Sequence, residues 1–509
     1  MTKCPAVCRQ RSGEMADSAA SAKERAKRRK KRKIKLWIRR IIALLVALAI
    51  VFFAVFAVVK IIGGGIKLVK KWFGGNETEA VASTDEPTEE PTEPSTEEIE
   101  QNKLAFTTEA RRLMASYRYN DALELIDKYT GYKNDPEVQA LRQSVIDEYN
   151  SCIPVDMEKV PHVFVHSLIV DTSKAFVGGT SSSTANGVNA WMITIEEYKK
   201  VLDQLYANGY VLLNVSDLYT VTGGTVAPNT GIKLPEGKKA LVFSYDDLAY
   251  YAQYSGLGFG EKLVKDADGK LKVEYTADNG EVLVGDYDWL PILDQFVEEH
   301  PDFSYQGHKG TIAMTGYDGC FGYRTDIGFF EEPTFGERAW LKAHPDITVD
   351  HIDEYIEQAK EIAQAIKEDG YEFASHSWGH RRYGSISTPD LEVDMGLFFE
   401  RVTPIIGETE ILIYAHGDDI AGSRLYNTET NSNYAYLLSV GYKAFCNVDA
   451  SWLSWYQYNG ECMRGARIDI DGYTLYTEMT QGGTVIAELG LNAAEIFDPI
   501  RPTPVIAET

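Results

Sequence analysis

The chain has 509 residues, with 75 Asp and Glu against 51 Lys and Arg, and a formal net charge of -24. Its length exceeds the usual size of one hydrophobic core, so we expect one large domain with accessory segments. No nucleic-acid partner is expected, because phosphate binding requires clustered cations on the folded surface. Hydrophobic residues at 44% and charged residues at 25% are ordinary globular values, so function must come from local patterns.

A basic segment and an apolar segment adjoin near the N-terminus. Lys23–Arg40 is rich in Lys and Arg, and Ile41–Val59 is an unbroken apolar run. A helix over this run would be about 28 Å long, close to the ~30 Å hydrocarbon thickness of a bilayer. The positive-inside rule keeps residues 1–40 in the cytoplasm and places the rest outside. We therefore predict an uncleaved transmembrane helix in the cell membrane; a nucleic-acid-binding arm and a cleaved signal peptide are the alternatives.

Two short regions separate this anchor from the main domain. Residues 60–101 contain a juxtamembrane exit and a Thr/Glu/Pro-rich tract, which we expect to be a disordered, extended linker. In residues 102–150, apolar residues recur at helical spacing, as in Ala122, Leu123 and Ile126, and predict a small helical segment of two or three helices. Only one tetratricopeptide-like hairpin is visible, so a spacer or packing module is favoured over a solenoid.

From residue 151 to residue 509, short β-rich runs alternate with helical stretches, which is typical of parallel strands joined by crossover helices. The predicted strands are Val163–Val165, Tyr210–Val215, Ala240–Tyr245, Thr311–Thr315, Glu372–Ser375, Ile411–Ala415, Lys443–Val448 and Thr484–Glu488. The predicted helices include Ile195–Asn208, Asp353–Lys367 and Leu391–Val402. Seven or eight such strands predict a distorted (β/α) barrel. Residues 252–310 interrupt the rhythm and are interpreted as an insertion over one barrel face.

Two histidines four positions apart follow one of these strands. His376 and His380 lie in the sequence Ser-His-Ser-Trp-Gly-His, directly after Glu372–Ser375. Imidazoles at this spacing can face one point if a helical turn follows the strand. A zinc-protease helix is disfavoured, because Ser377 occupies the position where such motifs carry Glu. The pair is a candidate metal-binding half-site, with an incidental pair as the alternative.

Two adjacent carboxylates follow another strand. Asp246 and Asp247 end the sequence Ser-Tyr-Asp-Asp after Ala240–Tyr245, at the strand end where barrel enzymes place active-site residues. Both can turn inward past the strand, one towards a metal and one towards the substrate water; a solvated turn is the alternative. One carboxylate with two imidazoles would form a facial triad with open positions, suited to zinc, iron, cobalt or manganese.

These two motifs, residues 244–247 and 375–380, resemble the first two motifs of the NodB-homology polysaccharide deacetylases, carbohydrate esterase family four. The similarity covers roughly residues 161–488. Segments around Phe164 and Met314 are similar to a membrane-anchored branch from Gram-positive bacteria.

The resemblance implies a role for each of four side chains. It makes Asp247, His376 and His380 the ligands of a divalent metal, with zinc first and cobalt, iron, manganese or nickel as alternatives. It makes Asp246 the general base that accepts the proton of the attacking water. The implied reaction is hydrolysis of an N-acetyl group on a polysaccharide.

The chain departs from the family at two catalytic positions. The family arginine would fall near Ile413, and we expect Arg464 to supply the missing cation; Arg467 is a second candidate, with Asp449 as a possible partner. Such arginines more often form salt bridges at a strand edge. The family's last motif supplies a histidine as general acid, yet no histidine follows His416.

His416 is therefore the predicted general acid. His166 is a weaker candidate, and a core histidine is its expected role. The backbone of Tyr414–Gly417 occupies the place where the family holds the oxyanion. We predict metal-dependent removal of N-acetyl groups from a cell-envelope polysaccharide such as peptidoglycan. The alternatives are a glycan-binding or scaffolding protein without turnover, and a glycosidase using two carboxylates, which leaves the histidines without a role.

Overall fold

The computed structural model describes residues 96–129 and 131–507. They belong to a compact unit spanning Pro94–Thr509. The predicted cytoplasmic tail, the predicted span Ile41–Val59 and most of the predicted linker lie outside the described residues. Within the described part of the chain, no helix combines the length and apolarity needed to cross a bilayer.

The α-helices of the described chain follow one another as α1 Thr96–Ala115, α2 Tyr119–Lys128, α3 Pro136–Ser151, α4 Thr172–Ala175, α5 Ser183–Trp191, α6 Ile195–Ala207, α7 Trp289–Glu299, α8 Ile327–Glu331, α9 Phe335–Ala343, α10 Ile352–Glu368, α11 Thr388–Arg401, α12 Thr403–Ile406, α13 Ser432–Ser439, α14 Gly472–Gln481 and α15 Ala493–Ile496. Side-chain caps explain several of their starts. Thr194, for example, accepts the N–H of Glu197 while the Glu197 carboxylate accepts the N–H of Thr194, a reciprocal cap that begins α6.

The strands are β1 Ile153–Pro154, β2 His162–Val165, β3 Tyr210–Leu213, β4 Tyr219–Thr222, β5 Thr225–Pro228, β6 Lys233–Leu234, β7 Lys239–Asp246, β8 Lys262–Lys265, β9 Leu271–Thr276, β10 Val282–Gly285, β11 Gly310–Met314, β12 Tyr371–Ser375, β13 Ile411–Ile413, β14 Ala444–Val448, β15 Tyr456–Tyr458 and β16 Met463–Asp469. Seven of them form a closed parallel ring in the order β11–β12–β13–β14–β16–β2–β7, with β7 pairing back to β11. The predicted (β/α) barrel is confirmed at this level.

Alternation along each strand separates the outside of this barrel from its interior. Leu241, Phe243 and Tyr245 of β7 belong to the large core beneath the surrounding helices. The residues between them face inwards, and Ser244 and Asp246 contact a side chain from β16 there. Strand β3 pairs with the first half of β7 only and stays outside the ring.

Helices α1 to α3 pack against the loops that lead into the barrel strands. Buried residues of these helices, such as Leu113 and Ile126, share a core cluster with interior barrel residues. Tyr117 Oη donates to the carbonyl of Asp302 at 2.8 Å, and Gln306 N–H donates to the carbonyl of Ser116 at 2.8 Å. The helical segment therefore shares a buried core with the barrel.

Two parts of the strand prediction are wrong. The predicted strand Thr484–Glu488 is a 3-10 turn over Val485–Leu489, because its three apolar residues are too few to distinguish strand from turn by pattern. Strand β16 was not predicted, although it closes the ring between β14 and β2. Its sequence carries two arginines and a glycine, so it lacks the apolar character expected of a buried strand.

The predicted insertion over residues 252–310 is shorter than expected. Its first part contains an antiparallel sheet in the order β10–β9–β8. Its second part, α7, is an ordinary crossover helix between β7 and β11, and Trp289 stacks on Tyr245 with ring centroids 3.7 Å apart. The charged, glycine-rich composition predicts an insertion, but not that it forms a sheet or that a helix follows it.

Candidate metal centre

The three predicted metal ligands meet at the carboxyl ends of the barrel strands, which we call the mouth. Asp247 follows β7, and His376 and His380 follow β12. One ligand atom from each side chain lies within 4.8 Å of the others. His380 Nε2 is 3.7 Å from Asp247 Oδ2. The fold thus gathers one carboxylate, from the end of β7, and two imidazoles, from the end of β12, around one point.

The buried ring of His376 is fixed with one nitrogen free. Its Nδ1 lies 2.8 Å from the carbonyl of Ile413, so Nδ1 carries the proton and Nε2 keeps its lone pair. Burial lowers the pKa of His376 below its ordinary value despite the opposing effect of Asp246 and Asp247. The ring is therefore neutral at physiological pH, which is the form that binds a metal.

Asp247 is held by a tyrosine that the sequence analysis missed. Tyr251 Oη donates to Asp247 Oδ1 at 2.6 Å and lies 2.7 Å from Thr315 Oγ1. Burial raises the pKa of Asp247, but the combined effect of the neighbouring imidazoles and the hydrogen bond from Tyr251 outweighs it, so the net shift is downwards. Asp247 therefore stays ionised. The i+4 spacing of Tyr251 gives no signal, because the segment is an irregular loop rather than a helix.

Backbone strain is concentrated at this end of the barrel. Asp247, Ser377, His380 and His416 all have positive φ, at 65°, 63°, 51° and 57°. A non-glycine residue in this region costs about 1–3 kcal/mol and is tolerated only where its surroundings over-determine it. Four such residues around one group of side chains indicate a functional site, where the positions of the side chains are kept at a cost in stability.

Asp246, the predicted base, is paired with an arginine. Arg467 Nη1 and Nη2 donate to its two carboxylate oxygens at 2.7 and 3.0 Å. His376 Nε2 is 3.6 Å from Asp246 Oδ2. Burial alone raises the pKa of Asp246, but the charge of Arg467 holds it well below its usual range. The carboxylate is thus fixed in orientation and stays ionised beside the metal ligands.

The cation that pairs with the predicted base Asp246 is Arg467. The prediction that Arg464 supplies this cation is wrong. The two residues lie three positions apart on β16, so their side chains point to opposite sides of the strand. Arg464 donates to Asp419 Oδ2 at 2.8 Å and to the carbonyls of Gly422 and Arg424, outside the barrel. Asp449 accepts the N–H of Ser451 rather than an arginine.

The structure places both candidate acids at the mouth. The ring of His416 lies 4.2 Å from that of His380, centroid to centroid. Burial lowers the pKa of His416 to about 4, helped by His380 and Arg382. His166 follows β2 and is half-buried, with Nδ1 3.1 Å from the carbonyl of Trp191. It is therefore not the core histidine that the sequence led us to expect.

The donor set fits a divalent metal. One carboxylate and two imidazoles combine a negatively charged oxygen ligand with borderline-soft nitrogen ligands, which suits zinc and its neighbours. The carbonyl that orients His376 and the hydroxyl that orients Asp247 are the outer partners usual for metal ligands.

Comparison with protein-family models and with curated proteins gives no match. Among solved structures, the chain is similar to the Streptococcus pyogenes deacetylase PplD in complex with acetate, at 14% identity and a TM-score of 0.32, over 62% of this chain and 93% of that one. A polysaccharide deacetylase from Bacillus cereus has 11% identity and a TM-score of 0.32, over 62% of this chain and 65% of that one. The deacetylase domain of BpsB from Bordetella bronchiseptica has 11% identity and a TM-score of 0.28, over 63% and 99%. These similarities are too low to assign any of these activities to the chain.

Proposed function

We propose that the chain is a metal-dependent deacetylase that hydrolyses N-acetyl groups of a cell-envelope polysaccharide. The observation that carries the proposal is the meeting of Asp247, His376 and His380 at the barrel mouth, with the carboxylate of Asp246 held beside them by Arg467. This arrangement separates three ligands from one free base, which is the division of labour that amide hydrolysis requires.

The residues of the chain divide the steps among them. Asp247, His376 and His380 would hold the ion, and a divalent ion supplies polarisation of the acyl carbonyl and acidification of water. Asp246 accepts the proton of the attacking water, and Arg467 keeps it ionised and aimed. In the segment Tyr414–Gly417, which carries His416 at the mouth, the N–H groups of Tyr414 and Gly417 donate to the carbonyls of Cys446 and Tyr414. The proposed oxyanion donors are therefore the N–H groups of Ala415 and His416.

The leaving amine needs a proton as the C–N bond breaks. His416 was the predicted donor, but a pKa of about 4 leaves it unprotonated at neutral pH. We assign the donor to His166 in its doubly protonated form, since the carbonyl of Trp191 accepts the Nδ1 proton and the Nε2 proton can pass to the substrate. The water oxygen bonds to the acyl carbon and Asp246 takes one proton from it. His166 gives its Nε2 proton to the nitrogen as the C–N bond breaks, acetic acid and a free amine leave, and the proton on Asp246 returns to His166.

The class of polymer and its location complete the proposal. An N-acetylglucosamine-containing glycan such as peptidoglycan is the proposed substrate, because the predicted span Ile41–Val59 would place the barrel outside the cell. This part rests on the sequence.

Acetate release by the full-length chain in detergent, with added zinc or cobalt and N-acetylglucosamine oligomers, tests the activity. His376→Ala and Asp246→Asn should each abolish release, whereas His351→Ala, which removes an exposed histidine just before α10, should leave it unchanged. Equal release by all four proteins would contradict the proposal.

A glycan-binding protein without turnover is the second candidate. The absence of any histidine after His416 favours it, since the family takes its general acid from that region. Metal retention and oligosaccharide binding with no acetate release would establish this candidate. Cleavage of the sugar chain itself would point to a glycosidase.

A further inference from the structure

Two exposed arginines stand at the rim of the mouth. Arg381 and Arg382 follow the metal ligand His380 directly, and both are exposed. A tight loop presents them: Arg381 N–H donates to Ser377 Oγ at 2.7 Å, and His380 adopts a positive φ. The Cγ of Arg381 would lie 3.5 Å from a Cβ built on Gly379, so its side chain runs back over the histidine loop.

These arginines differ from the buried and half-buried arginines of the same domain. Arg401, Arg464, Arg467 and Arg501 each form an ion pair with a carboxylate at 2.6–2.9 Å. Within residues 96–129 and 131–507, Arg381 and Arg382 form none at 4.0 Å or less.

The carboxylates nearest to this loop are engaged by other groups. Asp394 accepts the N–H groups of Trp378 and Gly379 and the hydroxyl of Tyr383. Asp418 accepts the hydroxyl of Ser385 at 2.7 Å. Arg382 is the second residue after His380, whose ring lies 4.2 Å from that of His416 at the mouth. The charge of these two arginines is therefore available to a ligand that occupies the mouth.

The net charge of the chain makes this local charge informative. A protein with 75 acidic and 51 basic side chains repels an anionic polymer over most of its surface. Guanidinium groups bind carboxylates and phosphates through paired N–H donors, and their burial by such a ligand strengthens the bonds. The guanidinium groups of Arg381 and Arg382, next to the proposed metal ligands, would attract an anion to the mouth, where the polymer must bind.

We propose that Arg381 and Arg382 bind an anionic substituent of the glycan, carried by the sugar next to the N-acetylated unit at the metal centre. The substituent is a carboxylate or a phosphodiester, both of which match the guanidinium fork. The inference rests on the proposed deacetylase function and makes the substrate an acidic glycan rather than a neutral one.

The test compares matched oligosaccharides with the full-length, metal-loaded chain. One substrate is a neutral N-acetylglucosamine oligomer, one contains sugars bearing a lactyl carboxylate, and one is linked through phosphodiesters. The variant Arg381→Gln/Arg382→Gln should lose roughly 10- to 100-fold in kcat/KM on one acidic substrate, since a hydrogen bond to a charged group contributes about 1.5–3 kcal/mol and each 1.4 kcal/mol is about tenfold. Its kcat/KM on the neutral substrate should stay within about twofold.

Several outcomes decide the proposal. The acidic substrate that suffers the loss identifies the substituent, and raised salt should reduce the wild-type preference for it. Arg111→Gln, an exposed arginine of α1, should change neither rate. Equal rates for wild type and variant on all three substrates, or an equal loss on all three, would overturn the inference.

A binding measurement separates this inference from the proposed function. If the wild type releases no acetate from any substrate, the deacetylase proposal fails, and calorimetric titration of the same oligomers still tests the arginines. Weaker binding of an acidic oligomer to the double variant, with unchanged binding of the neutral one, supports the anion site. Identical affinities overturn it.

Discussion

Replacing Arg467 by methionine should unfold the protein more easily and inactivate it. Arg467 is fully buried, and its two N–H groups bind the Asp246 carboxylate at 2.7 and 3.0 Å. Removing one partner of a buried pair leaves an uncompensated charge and costs about 3–5 kcal/mol. The free energy of unfolding, measured by urea denaturation at pH 7, should fall by that amount. Because Asp246 would no longer be held in orientation by Arg467, kcat for acetate release should also fall by at least about 100-fold.

Arg464→Met is the matched control, because Arg464 is equally buried and also pairs with a carboxylate, that of Asp419, but on the outer side of β16. It should lose comparable stability and retain most of its kcat. The double variant Asp246→Asn/Arg467→Met removes both charges and should recover most of the lost stability but none of the activity. A change of less than about 1 kcal/mol in Arg467→Met, or equal loss of kcat in the two single variants, would refute this reasoning.

Three further predictions concern other parts of the domain. Tyr251→Phe removes the 2.6 Å bond to Asp247 and should weaken metal affinity about 10- to 100-fold in a chelator competition; unchanged affinity would contradict the orienting role. Burial raises the pKa of Asp288 to about 6, above its unfolded value of about 3.9, so its contribution to stability is full below pH 4 and is lost as the pH rises to 6. In urea denaturation, the free energy of unfolding of the wild type, relative to that of Asp288→Asn, should therefore fall by about 2–3 kcal/mol between pH 4 and pH 7. Ile126→Ala should cost about 2–5 kcal/mol and shift a single unfolding transition, whereas a separate early transition would show that α1 to α3 unfold independently.

The meeting of Asp247, His376 and His380 could be predicted because their signals are local and the fold brings them together. Asp247 and His376 each follow an apolar run, and the carboxyl ends of parallel strands meet at one end of a barrel. The identity of the cation on Asp246 could not be predicted in the same way. Arg464 and Arg467 look alike in sequence, and only the direction in which each points along β16 separates them. The direction of each side chain depends on β16, whose sequence does not have the pattern of a buried strand.

The roles of the imidazoles also needed the tertiary structure. The sequence favours His416 over His166 as the acid. In the structure, burial and the nearby His380 lower the pKa of His416, while the Nδ1 of His166 lies 3.1 Å from the carbonyl of Trp191. The hydrogen bond from Tyr251 to Asp247 could not be predicted, because it depends on a loop with irregular backbone angles. Such loop contacts carry no periodic signature.

Metal binding to the full-length chain tests the central claim most directly. Titration of the metal-free protein with cobalt, followed by calorimetry and visible absorption, should give one bound ion per chain. Asp247→Ala, His376→Ala and His380→Ala should each remove that binding, while Asp246→Asn should keep it and lose only acetate release. Cobalt binding that survives all three ligand variants, or that requires Asp246 as strongly as Asp247, would contradict the account.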